Sequence, residues 1–548
     1  MRAVISPGRF DVAVIGGGIN GVAIARECAQ HGKRVLLVER ADFASGTTSR
    51  STRIIHGGLR YLEHGELSLV RESLRERGRL LRERPHLVRP LRFILGLGTG
   101  RRHNALEIRT GLWVYRKLAG APMCPPATTD DLRTLESALD KGQRWSLFDY
   151  DDAQCEFPER LVAEWLVEAA QAGADIRNHC EVRQVVVKDG IARGLLCRDR
   201  MTGEETAIDA EWIVNATGPW ADSICADSGV RTREPMIGGV RGSHIVVPKF
   251  PGAPESALYT EAKDGRPIFV LPWNGQLMVG TTEIPDRKDP ATVEPTLNEV
   301  EYLIASLNLL FPSARIGMDD VRYAFAGVRP LPYVEGAEPS AITRKHLLRD
   351  HKDDGAAGLV SVIGGKLTTA AELARDCAKH MGIDARAPRT IYAAIGDANG
   401  IEATICAWAK MVAGIAEISQ ESARALARMR GRRALCVAQL ARADVRLRAP
   451  LCDHSDHIVA EAIDAMRFEH AITLADVLLR RVPVAFSACW DHECSRTAAQ
   501  RIGEAAGWDP LQIAYELEEF EMERSAFLKR ASRDTLRVDH LFPAKSVA

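Results

Sequence analysis

The stretch from Phe10 to Glu39 constrains this chain more than any other. Phe10 to Ile15 is a short, mostly apolar run, and Gly16-Gly-Gly18-Ile-Asn-Gly21 follows at once. Val22 to His31 reads as an Ala-rich helix, and Val35 to Val38 as a buried strand ending at Glu39. This is a complete strand, turn, helix and strand unit. The glycines at 16, 18 and 21 serve a tight turn, close approach of backbone to a pyrophosphate, and close contact of helix with strand. The helix N-terminus then faces the phosphates, and Ile19 and Asn20 in the turn before it are expected cofactor contacts. Glu39 stands 18 positions after Gly21, where a carboxylate can accept from both ribose hydroxyls of an adenosine, with Arg40 beside it. A bare glycine pattern is weak evidence, but inside this unit it predicts a bound dinucleotide.

The rest of the chain decides which dinucleotide. A long loop, Ser45-Gly-Thr-Thr-Ser-Arg-Ser-Thr52, follows the opening unit and offers Thr47, Thr48 and Ser49. Further glycine turns come hundreds of residues later, as in a flavin site built from distant segments. Trp212-Ile-Val-Asn-Ala-Thr-Gly-Pro-Trp220 is a strand running into Ala216, Thr217 and Gly218, after a meander of short strands from Val182 to Cys197. Leu359-Val-Ser-Val-Ile-Gly-Gly-Lys-Leu-Thr-Thr369 is a buried strand, a double glycine and a helix starting at about Lys366. The free N–H groups around Gly365, Lys366, Leu367 and Thr368 can stabilise negative charge on a reduced flavin. FAD is the expected cofactor.

Between these turns, residues 236 to 285 are rich in β-branched residues, with an Asn274-Gly275 hairpin signal, and read as a largely antiparallel sheet. After about Arg389 the strand signals fade, and residues 401 to 548 are dominated by Ala, Leu, Glu and Arg at helical spacing. The predicted fold is α/β: a Rossmann-like FAD-binding domain of the glutathione-reductase or amino-acid-oxidase type, an inserted antiparallel β-rich substrate domain, and an all-α C-terminal domain. Flavin-domain segments are expected at about 10–95, 150–235 and 320–385, substrate segments at about 96–149 and 236–319, and the helical domain at 396–548, with Pro388 and Gly396 near the linker.

Composition narrows the surroundings. Lys plus Arg (72) nearly cancels Asp plus Glu (73) over 548 residues, so no overall charge draws the molecule to nucleic acid. No run reaches 18 apolar residues, and the N-terminus passes straight into a strand, which reads as neither secreted nor membrane-spanning. The twelve cysteines form no CxxC pair and suit buried thiols in a reducing cytoplasm. Cys489 and Cys494, with His492 between them, are read as too far apart on a helix to share a metal, and His454 and His457 as a polar helix start; no metal is expected. From Arg50 to Lys117, however, 16 cations face six carboxylates. The segment from Arg89 to Lys117 mixes cations with apolar and aromatic residues, as an interfacial segment on anionic lipid does; the alternative is a solvated helix face.

Candidate chemistry gathers beside the glycine turns. Arg60 and Tyr61 lie in Ile55-His-Gly-Gly-Leu-Arg-Tyr-Leu62, Arg329 in Phe325-Ala-Gly-Val-Arg-Pro-Leu331, and Lys366 after Gly364-Gly365. Two or three converging cations imply an anionic substrate. His56, before Gly57, is a candidate base for a substrate hydroxyl, or a partner of the flavin ring, even a covalent one. Arg329 is a candidate for contact with the reacting oxygen.

These motifs together resemble the FAD-dependent, respiratory-chain glycerol-3-phosphate dehydrogenases. Val14 to Gly21, Ile54 to Glu63, Val214 to Trp220, Gly242 to Pro248, Gly280 to Thr282, Gly327 to Leu331 and Gly364 to Thr368 match in order and spacing, and Thr473 to Arg481 is a remnant in the helical part. The resemblance implies oxidation of sn-glycerol 3-phosphate to dihydroxyacetone phosphate, hydride leaving C2 for flavin N5, and electrons passing to membrane quinone from a peripherally bound cytoplasmic enzyme. It places substrate contacts on Arg60, Tyr61, Arg329 and Lys366, with His56 near the flavin. Glu283, where the family usually has Asp, the altered Asp152 to Arg160 segment, and Val482-Pro483 depart from the pattern. A glycerol-3-phosphate oxidase, an amine or amino-acid oxidase, and a flavin-binding sensor remain alternatives, as does a homodimer to a monomer.

Overall fold

The computed structural model describes residues 8–62, 65–98, 105–120, 123–337, 341–384, 400–529 and 536. The expected linker near Pro388 and Gly396, and Glu63 of the second motif, lie outside the described residues. The opening unit forms with one shifted boundary: strand β1 is Phe10–Ile15, helix α1 is Ile19–Gln30, starting in the glycine turn rather than at the expected Val22, and strand β2 is Val35–Val38. β1 lies parallel between β2 and the strand Glu205–Asn215, which pairs in turn with the parallel strand Leu359–Ile363. Both later glycine turns therefore leave the same sheet edge as Gly16. β1 carries apolar residues at every inward position because both faces are covered. Val12 and Val14 meet α1 and the helices Pro158–Gln171 and Ala370–His380, whereas Ala13 and Ile15 meet the antiparallel meander of residues 180–215.

The second sheet has nine strands among the described residues and is mostly antiparallel. The hairpin joining Pro267–Trp273 to Gln276–Gly280 turns at Asn274 and Gly275, both with positive φ (47° and 71°), the geometry that Asn-Gly favours. This sheet reaches beyond the expected substrate segments. The long pair Val88–Gly98 and Trp145–Cys155 and the strand Tyr323–Arg329 all belong to it, so boundaries at 96, 150 and 320 cut through it or miss it. The same pairing corrects the interfacial reading of residues 89–97: Phe93, Ile94, Leu95 and Leu97 are buried between strands rather than presented to lipid. Arg101 and Arg102 lie outside the described residues. The helix Ala105–Ala119 does expose Leu106 (74%) and Trp113 (62%).

The C-terminal helices pack against the second sheet through Phe486 and Phe527, which meet Trp273, Tyr323 and Phe325. They are also locked to the first sheet by buried charge. Arg481 donates through both terminal nitrogens to Asp42, at 2.7 Å each, just beyond β2, and Arg480 joins the same carboxylate. His179 meets Asp476 at 3.0 Å, and Arg160 meets Glu469 at 2.7 Å. Removing one partner of such a pair strands the other, at roughly 3–5 kcal/mol. The Thr473 to Arg481 remnant thus has a physical reason to be there, since it fastens the helical domain to the loop that follows β2.

Candidate active site

A cavity of about 880 Å³ runs between the strand ends of the first sheet and the inner face of the second. At one end is a cradle of backbone. Gly16 has φ +104°, and a Cβ there would stand 2.7 Å from the carbonyl oxygen of Ala216. Gly18 is extended (φ −71°) and needs no special backbone freedom, so its missing side chain serves the space in front of α1. Gly21 lies behind the wall, where a Cβ would overlap the Gly16 carbonyl oxygen; it sets how closely α1 approaches β1. Ile19 N–H donates to Thr48 Oγ1 at 3.1 Å, and Thr47 Oγ1 donates to the Val328 carbonyl at 2.7 Å, which ties the loop to both sheets.

Glu39 is fixed by two backbone donors, Gly17 N–H at 2.7 Å and Ala41 N–H at 2.9 Å. Its carboxylate has lone pairs left for two hydroxyls. Burial pushes its pKa up against those two bonds. Arg40 stacks on Trp220, 4.4 Å from the ring centre. Ala216, Thr217 and Gly218 form the next part of the wall, and Gly218 faces open space. Asn20 donates to the Gly364 carbonyl at 3.4 Å, joining the first glycine turn to the last.

The other end is cationic. Arg60, Tyr61, Arg329 and Lys366 all line it. Lys366 Nζ donates to Ser73 Oγ at 2.7 Å and stands 4.6 Å from the Tyr61 ring centre. Burial brings the Lys366 pKa down to about 8, and burial raises the Tyr61 phenol to about 12. Arg329 donates to Thr281 Oγ1 at 2.9 Å and approaches Glu283 at 3.6 Å.

His56 lines the cavity, and its ring makes no hydrogen bond among the described residues. Burial, then Lys366 and Arg77, hold it neutral with a pKa of about 3. Its position is built from afar: His56 N–H donates to Thr368 Oγ1 at 3.2 Å. The next N–H, of Gly57, donates to Tyr115 Oη at 2.9 Å and to Asp152 at 3.1 Å. Arg77 completes this buried group on Asp152 at 2.6 Å.

Besides Gly21, two expected residues are off the wall. Ser49 is buried with its hydroxyl on the Ala44 carbonyl, and Gly57 is buried against Leu74 and Tyr115. Three others join the site without having been assigned a place there. Arg344 approaches Glu283 at 3.4 Å, so that one carboxylate spaces two guanidinium groups. His244, stacked on Phe325 and 3.0 Å from Thr52 Oγ1, is a second neutral imidazole, its pKa lowered to about 3 by burial and by Arg329 and Arg53. Its motif, Gly242 to Pro248, was a visible signal; Arg344 had none, since no glycine turn adjoins it. Outside the cavity, Cys489 and Cys494 do converge, because Cys489 sits in a turn before the helix His492–Ala506 and not on it.

The cradle fits a flavin dinucleotide. It offers a helix N-terminus with a clear approach at Gly18, a fixed carboxylate at the end of the neighbouring strand, and a long continuous cavity ending in the Gly364-Gly365 turn.

Comparison with known proteins agrees. Residues 11–379 match the FAD-dependent oxidoreductase family, and residues 360–513 the C-terminal domain of alpha-glycerophosphate oxidase. A glycerol-3-phosphate dehydrogenase of Synechocystis sp. is 42% identical over 66% of this chain and 68% of its own length. A D-erythritol 1-phosphate dehydrogenase of Brucella abortus is 39% identical over 67% and 72%. The crystal structure of a glycerol-3-phosphate dehydrogenase from Bacillus halodurans complexed with FAD superposes with a TM-score of 0.75 over 96% of both chains at 24% identity, and shares the fold. The chain binds FAD as its cofactor and belongs to the FAD-dependent glycerol-3-phosphate dehydrogenase family.

Proposed function

We propose that this protein oxidises sn-glycerol 3-phosphate to dihydroxyacetone phosphate and passes the electrons to quinone while resting on an anionic membrane surface. One observation carries the substrate reading: Arg60, Arg329, Arg344 and Lys366 surround Tyr61 at the end of the cavity opposite the dinucleotide cradle. That much positive charge suits a phosphate dianion, and binding it remote from the reacting carbon orients that carbon. FAD supplies the two-electron acceptor. His56 takes the hydroxyl proton. Its low proton affinity in the free site comes partly from Lys366, whose charge the bound dianion offsets, so substrate binding itself makes His56 a better base. Leu106 and Trp113, exposed on the helix that also carries Arg116 and Lys117, support the membrane contact; among the described residues no helix is long and apolar enough to cross a membrane.

The test is anaerobic bleaching of the yellow enzyme by glycerol 3-phosphate, erythritol 1-phosphate and glycerol, followed by reoxidation with quinone in anionic vesicles or with air. Glycerol 3-phosphate should bleach it and glycerol should not, with quinone the faster oxidant. A spectrum unmoved by glycerol 3-phosphate sinks the reading, faster bleaching by the four-carbon ester reassigns the substrate, and faster reoxidation in air makes the protein an oxidase. His56→Asn should still bind the ester but bleach about 10²–10⁴-fold more slowly.

The pH profile follows from Lys366. Below about pH 8 the ammonium is charged and grips the dianion; as pH rises through that value the charge is lost and kcat/KM should fall. On the acid side the limit is the ester's own second ionisation, near pH ~6. Lys366→Arg, which stays charged throughout, should move the alkaline limb out of range. An unchanged limb in that variant would show that another group titrates there.

A further inference from the structure

The loop Pro450 to Ile458 and the start of the helix His492–Ala506 bring four donor side chains together far from the flavin cavity. Among the described residues, Cys452, His454, Cys489 and Cys494 are the one group of His, Cys, Asp and Glu whose donor atoms all lie within 4.8 Å of one another. Cys494 Sγ and His454 Nδ1 are 3.9 Å apart. A tetrahedral zinc ion with Zn–S of ~2.3 Å and Zn–N of ~2.0 Å needs donor separations of about 3.5–3.8 Å, which small rotations of these side chains would reach. Three sulfurs and one imidazole are a donor set that selects zinc over hard cations.

We infer that these four residues form a structural zinc site. Two donors, Cys452 and Cys494, are buried in the core (1% and 3% exposed), whereas His454 and Cys489 are exposed, so an ion can enter from solvent and be closed off from behind. The surroundings hold the donors in place. The loop is closed by Leu451 N–H on the His457 carbonyl at 2.7 Å. Arg501, from the facing helix, donates to the Pro450 carbonyl at 2.8 Å and to Asp453 at 2.9 Å. Cys494 lies in the first turn of its 15-residue helix, its N–H capped by Asp491 at 2.9 Å, which fixes the start of the helix that carries it. Binding would displace the thiol protons to solvent and change no oxidation state.

The position of the site within the fold gives the ion something to hold. The segment between its two halves contains Phe486, whose carbonyl accepts from Asn274 Nδ2 (3.0 Å), Gln276 Nε2 (3.2 Å) and Tyr323 Oη (3.3 Å) of the second sheet. A zinc ion would staple this segment and hold the helical domain against the substrate sheet. Nothing in the flavin chemistry uses these residues.

The full-length yellow enzyme should carry about one zinc ion per chain by atomic emission after passage through metal-free buffer. Cys452→Ser with Cys494→Ser should drop zinc to below about a tenth of that and lower Tm, while bleaching by glycerol 3-phosphate persists. His454→Ala, at an exposed position, should fold and lose zinc more readily to a chelator, which covers the case in which the double variant fails to fold. Cobalt(II) added to chelator-stripped enzyme should give the visible bands of a tetrahedral thiolate site, and these should be absent from Cys494→Ser. A wild-type enzyme that holds no zinc and gives no such cobalt spectrum, or a disulfide between any two of the three cysteines in freshly purified protein, would overturn the inference.

Discussion

Arg329→Ala is expected to lower kcat/KM for glycerol 3-phosphate by about 10²–10³-fold while flavin content stays at the wild-type level. The magnitude comes from chemistry: losing a buried, charge-assisted donor to an anion or developing alkoxide costs ~2.7–4 kcal/mol. The specificity comes from position. Arg329 ends the strand Tyr323–Arg329, and among the described residues its guanidinium bonds to Thr281 and Thr282 and faces Glu283 rather than the glycine turns that form the cradle. Its loss also leaves Glu283 to Arg344 alone, adding a less compensated carboxylate where the phosphate must sit. Arg329→Lys should recover only part of the loss, since an ammonium cannot reproduce the two-pronged donation. Steady-state kinetics with flavin occupancy measured on the same preparations decides the matter. Turnover within tenfold of wild type in the alanine variant would mean that Arg60, Arg344 and Lys366 anchor the substrate without it.

How much of this was legible in the sequence depends on the range of the interaction concerned. The opening unit could be read element by element, with only the helix start misplaced by one turn, because every force that makes it is local: an apolar strand, glycines where side chains cannot fit, and an acidic strand end. The turns at Gly218 and Gly364-Gly365 could be read for the same reason. The second sheet was legible only where its strands are joined by a tight turn, as at Asn274-Gly275. The pair Val88–Gly98 and Trp145–Cys155 is separated by some 46 residues, and its first strand opens with Val, Arg and Pro and carries a second Arg two positions on. Its mixed composition resembles a membrane-surface segment until the partner strand is seen. Arg344 and the Cys and His cluster share that difficulty: neither adjoins a local signal, and each acquires meaning only when distant loops meet. Glu283 was noticed as a departure, but its part in spacing Arg329 and Arg344 is a property of the fold.

The glycines of the cradle give the other large effect, and they separate two physical roles. Gly21→Ala places a methyl group onto the Gly16 carbonyl oxygen and within 3.4 Å of Ala216 Cβ, so α1 must move away from β1. Overpacking of this kind costs roughly 1–3 kcal/mol, and it also opens the turn that receives the pyrophosphate. The purified variant should be nearly colourless, with flavin occupancy reduced more than about tenfold and Tm lowered even when apoenzymes are compared. Gly18→Ala is the contrasting case. Its backbone is already extended at φ −71°, and the nearest atom to a new Cβ is Thr48 Oγ1 at 3.4 Å, so the protein itself tolerates the change. The added methyl instead stands before the N-terminus of α1, where a phosphate must approach backbone N–H groups closely. This variant should therefore keep the apoenzyme Tm and lose flavin affinity alone. Visible absorbance against protein concentration, with thermal unfolding of apo and flavin-loaded forms, reads both quantities. If Gly18→Ala retains flavin as tightly as wild type, the phosphates do not pass in front of α1, and the placement of the whole dinucleotide along the cavity fails with them.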